Sequence, residues 1–434
     1  VHTSRRHFLQ STVGLSLSAA SLASAQSDTD RLAAVPPSIA ALASMRSRAR
    51  PIAVVERRTR IERARQLMVE SRIDALLLTG GTSLTYFTGA RWGNSERLMA
   101  LVIPARGDAF CVCPAFEEER VRELLATGPF TEPIVYVWQE DESPFARTAK
   151  ALADRGVASG RVGIEENTKF VYTNSLATAA PALRLVDGTP VTAGCRMIKS
   201  DAEIALMRLA STATLTTYEA VFHALKPGMT ETDVRGLVGA AYARLGFSGA
   251  ASVQVGVYTA LPHGSATPQT IREGTIIMFD DGCVVEGYQS DITRTFVLGR
   301  ATDKMKRVFD IVKSAQTAAL RAARPGVALE TIDGAARTVI SEAGYGPGFK
   351  YFTHRLGHGL GMDMHEWPYL VSNNMFGWDT HLIARPRMVF SDEPGIYIPG
   401  EFGIRLEDDM LITESGAELF TPQCASIEAP FARV

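Results

Sequence analysis

The sequence predicts an α+β chain, in which a small α/β domain precedes a larger, pseudo-twofold α+β domain. Two observations carry this reading. Helical and strand-like apolar periods alternate from residue 53 to 193. From residue 194 to 434 a set of anchors recurs at a constant offset of 98 residues. With 434 residues, 46% hydrophobic and 21% charged, the composition is that of an ordinary globular chain of two or three domains. Its formal charge of −2, from 45 basic and 47 acidic side chains, leaves no basic excess to neutralise phosphates, so nucleic acid is excluded as a partner.

Residues 1–25 have the parts of an export leader: Arg5 and Arg6 before Phe8 and Leu9, a weakly apolar stretch, then Ala23-Ser24-Ala25. The paired arginines resemble a twin-arginine signal, which implies the twin-arginine export machinery as a partner and a periplasmic or secreted mature protein. The apolar stretch is too short and too serine-rich to span a bilayer, so no stable membrane anchor is expected. Residues 26–52 are read as a linker. The five cysteines are too scattered for a disulfide framework, and Cys111 and Cys113, two apart in a strand-like run, read as buried thiols on one face.

In the first domain, 53–193, Ile61, Ala64, Leu67 and Met68 fall at helical spacing before the apolar run Ala75 to Leu78 and the turn Thr79-Gly80-Gly81. Strands are predicted over 98–103, 134–138 and 161–164, and helices over 117–126 and 144–153. Nothing here concentrates acids, histidines or cysteines; packing, oligomerisation and walling one side of a pocket are the expected roles.

In the second domain, 194–434, Pro227-Gly228 recurs as Pro325-Gly326, Val234 as Ile332, and Gly246 as Gly344. Each copy follows a long helical stretch, 200–225 and 303–323, and precedes glycine-rich turns and apolar strands. A pseudo-twofold domain of this kind places its site between the halves.

The acids and histidines sit after each copy. One antiparallel hairpin is expected to bring Asp280 and Asp291 side by side, and a second to pair Glu393 with Glu407. Like charges facing each other across strands repel and call for a compensating cation or for protonation of one acid. Between the hairpins, His354, His358 and His365 fall within twelve residues, and His263 stands on a loop. Four carboxylates and one neutral imidazole carry four negative charges, which two divalent cations balance, and such a pair acidifies a bridging water to hydroxide. Oxygen-dominated ligands favour manganese, Mn2+, although zinc or cobalt also suits the set.

Asp280, Asp291 within Ser-Asp-Ile-Thr-Arg-Thr, His358 within Gly-His-Gly-Leu-Gly, Glu393 within Glu-Pro-Gly, and Glu407 within Gly-Ile-Arg-Leu-Glu-Asp-Asp resemble the five ligands of the pita-bread metallopeptidases. The match within that superfamily is to Xaa-Pro aminopeptidase (aminopeptidase P) and prolidase, and it covers most of residues 53–434, including a creatinase-type N-terminal domain. The resemblance implies two divalent metals per chain bridged by Asp291 and Glu407, with Asp280 completing one site and His358 and Glu393 the other. It implies Glu393 as the base, His263, His354 and His365 as histidines that position the scissile carbonyl and stabilise the oxyanion, and Arg405 as an arginine close to the site. Alternation along the strand also puts Arg405 on the face of Glu407.

The expected function is therefore a dinuclear-metal exopeptidase that hydrolyses the Xaa-Pro bond at the N-terminus of small peptides through a metal-bridging hydroxide, in a homo-oligomer, dimer or tetramer. An Xaa-Pro bond lacks the N–H that ordinary peptidases hold, so a pocket shaped to the ring is needed; Phe352, Trp367 and Tyr369 are candidates for it and equally for core. Asp281 departs from the small residue common beside Asp280. A metal-dependent lyase or a non-peptide C–N hydrolase on the same fold is the alternative. A silent binding module is disfavoured, having no need of five ligands.

Overall fold

The computed structural model describes residues 35–373 and 381–432; residues 1–25, read from the sequence as an export leader, and residues 26–34 lie outside the described residues. In the first domain, helix α1 (Val54–Ser71) buries Ile61, Ala64, Leu67 and Met68, the face read from the sequence, and ends on Arg72 in the left-handed region. Strand β1 (Ala75–Thr79), fully buried, leads through Gly80-Gly81 into helix α2 (Thr82–Thr88). Strands β2 (Ala100–Pro104), β3 (Phe110–Pro114), β4 (Ile134–Trp138), β5 (Gly160–Ile164) and β6 (Leu183–Asp187) complete a six-stranded mixed sheet of order β4-β3-β2-β1-β5-β6. Cys111 and Cys113 are buried on one face of β3, in a single apolar cluster. Helix α3 (Thr189–Arg196) closes the domain and carries it past the expected boundary at 193: Val191 and Cys195 lie in the same apolar cluster as Cys111 and Cys113, and Arg196 stands at its C-terminal end.

Residues 35–52, within the stretch read as a linker, pack against the second domain: Ile39 is fully buried, Ser38 Oγ donates to the Ala220 carbonyl (2.7 Å) and the Met45 N–H to the Leu245 carbonyl (2.9 Å).

The second domain carries the repeat. Helices α4 (Asp201–Phe222) and α5 (Glu231–Leu245) recur as α6 (Asp303–Ala322) and α7 (Leu329–Ile340). Gly228 and Gly326 have φ of 93° and 85°, and Gly246 and Gly344 both 87°, so the shared glycines mark the same left-handed turns. Val234 and Ile332 are both fully buried. Each half then supplies antiparallel strands. The first gives β7 (Ser252–Val255), β8 (Ile276–Asp280) and β9 (Arg294–Val297), with β8 in the middle. The second gives β10 (Gly357–Gly359), β11 (Glu366–Leu370), β12 (Val389–Asp392), β15 (Asp408–Ile412) and β16 (Ala417–Leu419) in the order β11-β10-β12-β15-β16, with β13 (Gly395–Ile398) and β14 (Phe402–Arg405) as a two-stranded extension. One apolar cluster underlies each helix pair. Among the described residues no helix is long and apolar enough to cross a membrane.

The two hairpins differ from their expected registers in an informative way. Asp392 pairs with Asp408 and Gly395 with Arg405, so Glu393 and Glu407 stand opposite each other in the gap, as the sequence suggests. In the first hairpin Phe279 pairs with Arg294, which sets Asp280 opposite Thr293, with Asp291 its diagonal neighbour two residues along. The strands continue as a short ribbon (283–285 with 288–289) that turns at Glu286 and Gly287, where φ is 51° and 93°. That tight two-residue turn, centred one residue later than a pairing of Asp280 with Asp291 needs, fixes the register.

Candidate metal centre

A cavity of about 350 Å³ opens between the two halves, lined by His263, Asp280, Asp281, Asp291, His354, Arg355, His358, His365, Glu393, Arg405 and Glu407, with Ser252 and Met364. All nine site residues read from the sequence line it. Asp280, Asp291 and Glu407 form one group whose ligand atoms lie within 4.8 Å of one another; His358, Glu393 and Glu407 form a second, and Asp291, His358 and His365 a third. Glu407 is thus common to both acid-rich groups, and Asp291 reaches from the first to the imidazoles of the third. His358 Nε2 lies 3.3 Å from Glu393 and 3.6 Å from Asp291.

The electrostatics fit divalent cations. Asp291 and Glu407 are 6% and 1% exposed. Burial first, and the neighbouring carboxylates second, push both well above the ordinary carboxylate range. Among the described residues Arg405 forms the only ion pair between an arginine or lysine and these acids, and it goes to Asp280. Four converging acids with one such counter-charge are a donor set for doubly charged ions with oxygen and imidazole preference.

Neighbouring side chains hold this donor set in place. The Thr293 hydroxyl, opposite Asp280, lies 2.7 Å from Asp280 Oδ1 and 2.6 Å from Glu407 Oε2, and takes a bond from Arg405 Nε at 3.0 Å. Ser391 links the His358 N–H (3.0 Å) to Glu393 (3.1 Å). Asp409, pushed up to about 8 by burial, accepts from the Asp291 N–H and from Ser211.

Arg405 Nη1 donates to Tyr397 Oη (2.9 Å), which leaves the phenol proton for His354 Nε2 (2.7 Å), while His354 Nδ1 faces the Arg355 carbonyl (2.8 Å). Both ring nitrogens of His354 are therefore engaged inside the protein. Burial lowers its pKa to about 4, in keeping with a neutral ring. His365 and His263 are exposed to the cavity, and among the described residues neither ring forms a hydrogen bond. The His263 loop is anchored at the preceding carbonyl, Pro262, which accepts from Arg405 (3.1 Å) and Gln254 (3.2 Å).

Sequence reading missed Thr293, Tyr397, Ser391 and Arg355 as site residues. Thr293 lay inside the quoted motif around Asp291 and Tyr397 on the strand after Glu393, so only their register was lacking. Phe352 and Trp367 are core, and neither they nor Tyr369 line the cavity. Asp281 lines it with φ 118°, and burial followed by the charge of Asp280 pushes it up to about 6; it belongs to none of the three ligand groups.

Comparison with known proteins places this geometry. Residues 205–414 match the model of "Metallopeptidase family M24", and residues 60–198 that of the "Creatinase/Prolidase N-terminal domain". The chain is 35% identical over 361 residues to a probable dipeptidase, PepE, of Mycobacterium bovis, covering 82% of this chain and 92% of that protein. It is 30% identical to an Xaa-Pro dipeptidase of Lactobacillus delbrueckii, over 83% of this chain and 96% of that one. Among solved structures, dipeptidase PepE from Mycobacterium ulcerans superposes with a TM-score of 0.80 at 31% identity, covering 88% of this chain and all of that one. A prolidase from Thermococcus sibiricus follows at 0.75 and 28%, over 86% and 98%.

Proposed function

Because the chain belongs to metallopeptidase family M24, with a creatinase-type N-terminal domain joined to a pita-bread catalytic domain, we propose that it cleaves the Xaa-Pro bond of small peptides with two divalent ions and prefers dipeptides. The observation that carries this is the sharing of Glu407 between the two acid-rich ligand groups inside one small-ligand cavity. Asp280, Asp291 and Glu407 would hold one ion and His358, Glu393 and Glu407 the other, with Asp291 also within reach of His358. When bound, such ions supply an acidified water and a Lewis acid for the scissile carbonyl.

The remaining roles fall to the chain itself. Glu393, oriented by Ser391 and His358, accepts the proton of the attacking water and returns it to the departing proline nitrogen. His365 and His263 offer unengaged imidazoles to the carbonyl oxygen as charge develops on it. Arg405 pairs with Asp280 and orients it, and Tyr397 ties Arg405 to His354. Arg355 lines the cavity, stacks on Tyr369 at 4.0 Å and forms no ion pair among the described residues. Its free guanidinium suits the C-terminal carboxylate of a dipeptide. The names of the relatives agree with that preference.

The test is release of the first residue from Xaa-Pro dipeptides and Xaa-Pro-Yaa tripeptides by manganese-loaded protein, with Asp291→Ala as control. Dipeptide cleavage that exceeds tripeptide cleavage and vanishes in the control supports the reading. Cleavage of tripeptides alone moves it to an aminopeptidase, and no cleavage of either moves it to a lyase or a non-peptide hydrolase. The twin-arginine motif at Arg5 and Arg6 supports export of the folded protein, which fractionation of expressing cells checks.

A further inference from the structure

His365 is exposed to the cavity and has no hydrogen bond of its own among the described residues; its ring only stacks on that of His358, centroids 3.9 Å apart. Its position must therefore come from the segment that carries it, residues 361–366, and that segment is tied from outside the catalytic domain. A single nitrogen, Arg196 Nη2, donates to Asp363 Oδ2 (2.6 Å) and to Glu366 Oε2. The other oxygen of Asp363 accepts from the Thr82 hydroxyl of the N-terminal domain (2.5 Å), and the other oxygen of Glu366 from Lys199 (2.7 Å). Within the segment the Gly361 N–H donates to the Asp363 carbonyl (3.1 Å) and the Asp363 N–H to Glu366 (3.4 Å). Gln289 holds its far side through the Met362 carbonyl (2.8 Å) and, by its N–H, the Gly361 carbonyl (2.7 Å). Glu366 and Lys199 are nearly fully buried and Arg196 largely so, which makes the pairs at Glu366 desolvated, directional contacts, while Asp363 is half-buried.

We propose that Arg196 and Thr82 are positioning residues for His365, and that through them the docking of the N-terminal domain sets the competence of the catalytic site. The domain that holds no ligand of its own thereby acts on the reaction: Thr82 opens α2 directly after the Gly80-Gly81 turn, and Arg196 ends α3, the last helix of that domain. Both converge on Asp363, two residues before the imidazole. The inference rests on His365 facing the substrate.

The experiment compares Arg196→Gln, Thr82→Val, His365→Ala and the double variant Arg196→Gln with His365→Ala, all metal-loaded. Hydrogen–deuterium exchange is measured over 361–366 and steady-state kinetics on an Xaa-Pro dipeptide. Arg196→Gln is expected to lower kcat about 10- to 100-fold with little change in KM, as a displaced catalytic group does. In the His365→Ala background the same change should cost no more than about 2-fold, because residues that act as one unit do not add. Exchange over 361–366 should quicken in Arg196→Gln and, less strongly, in Thr82→Val, while the His263 loop stays as in wild type. Should Arg196→Gln not fold, Thr82→Val carries the test by the same two readouts. Losses that multiply across the pair, or unchanged exchange over 361–366, overturn the proposal. A wild-type protein that cleaves no Xaa-Pro peptide overturns the proposed function instead, and the exchange comparison still decides the positioning claim.

Discussion

Asp280 and Arg405 come from opposite halves of the repeated domain, one ending β8 and the other ending β14, and meet as an ion pair in the lining of the cavity. Arg405 is 3% exposed and also bonds Thr293, Tyr397 and the Pro262 carbonyl, so this one guanidinium ties together both hairpins and the His263 loop.

Arg405→Met should therefore destabilise the metal-free protein by about 3–5 kcal/mol, the usual cost of removing one partner of a buried pair. With manganese bound the loss should be smaller, because a cation then faces the stranded Asp280 carboxylate. Denaturant titrations with and without metal check this, and equal losses in both states would argue against Asp280 as a ligand.

Tyr397→Phe deletes the hydroxyl between Arg405 and His354 and keeps the ring. The expected cost is about 1 kcal/mol of stability for the lost hydrogen bonding and roughly 10-fold in kcat as Arg405 and His354 loosen, with metal content unchanged. Metal analysis beside kinetics separates this outcome from a damaged ligand set.

Asp281 is a non-glycine residue at φ 118°, in a region that favours glycine. Asp281→Gly should relieve that strain and raise stability by about 1 kcal/mol, and should leave the bound metal unchanged if Asp281 lies outside the ligand set. A loss of one ion per chain in this variant would add Asp281 to the donors.

Glu366 supplies the pH dependence. Burial raises its pKa, but Arg196 and Lys199 outweigh that and hold it below the ordinary glutamate value. A depressed folded-state value means that the contribution is fully present above the unfolded value of about 4.3 and fades as the pH falls through the folded value. The denaturation midpoint of wild type should thus exceed that of Glu366→Gln near neutral pH, with the gap closing below about pH 4. A gap that widens on acidification would contradict the assignment.

Much of this architecture can be read in the sequence, because it rests on local pattern. The buried face of α1, the apolar run of β1 and the glycines that pair Gly228 with Gly326 and Gly246 with Gly344 all follow from spacing and backbone freedom. The five expected ligands converge because each sits in its own motif on or beside a strand that lines the cavity. Register was harder: pairing Asp280 with Asp291 needs a turn centred between Val285 and Glu286, whereas the turn at Glu286-Gly287 sets Thr293 opposite Asp280 instead. Strand β6 was missed because Leu183 to Asp187 alternates around an arginine and is only partly buried. The contacts of Tyr397 with His354 and of Arg196 with Asp363 join residues 43 and 167 positions apart, and no local pattern announces such partners.

The most direct measurement is the metal content of purified protein beside its Xaa-Pro dipeptidase activity, in wild type and in Glu407→Gln, the residue common to both acid-rich ligand groups. The account predicts about two manganese ions per wild-type chain, activity abolished by chelation and restored by manganese, and loss of both ions and of turnover together in Glu407→Gln. Full dipeptide cleavage by chelated protein, or a Glu407→Gln variant that keeps both ions and its activity, would contradict it.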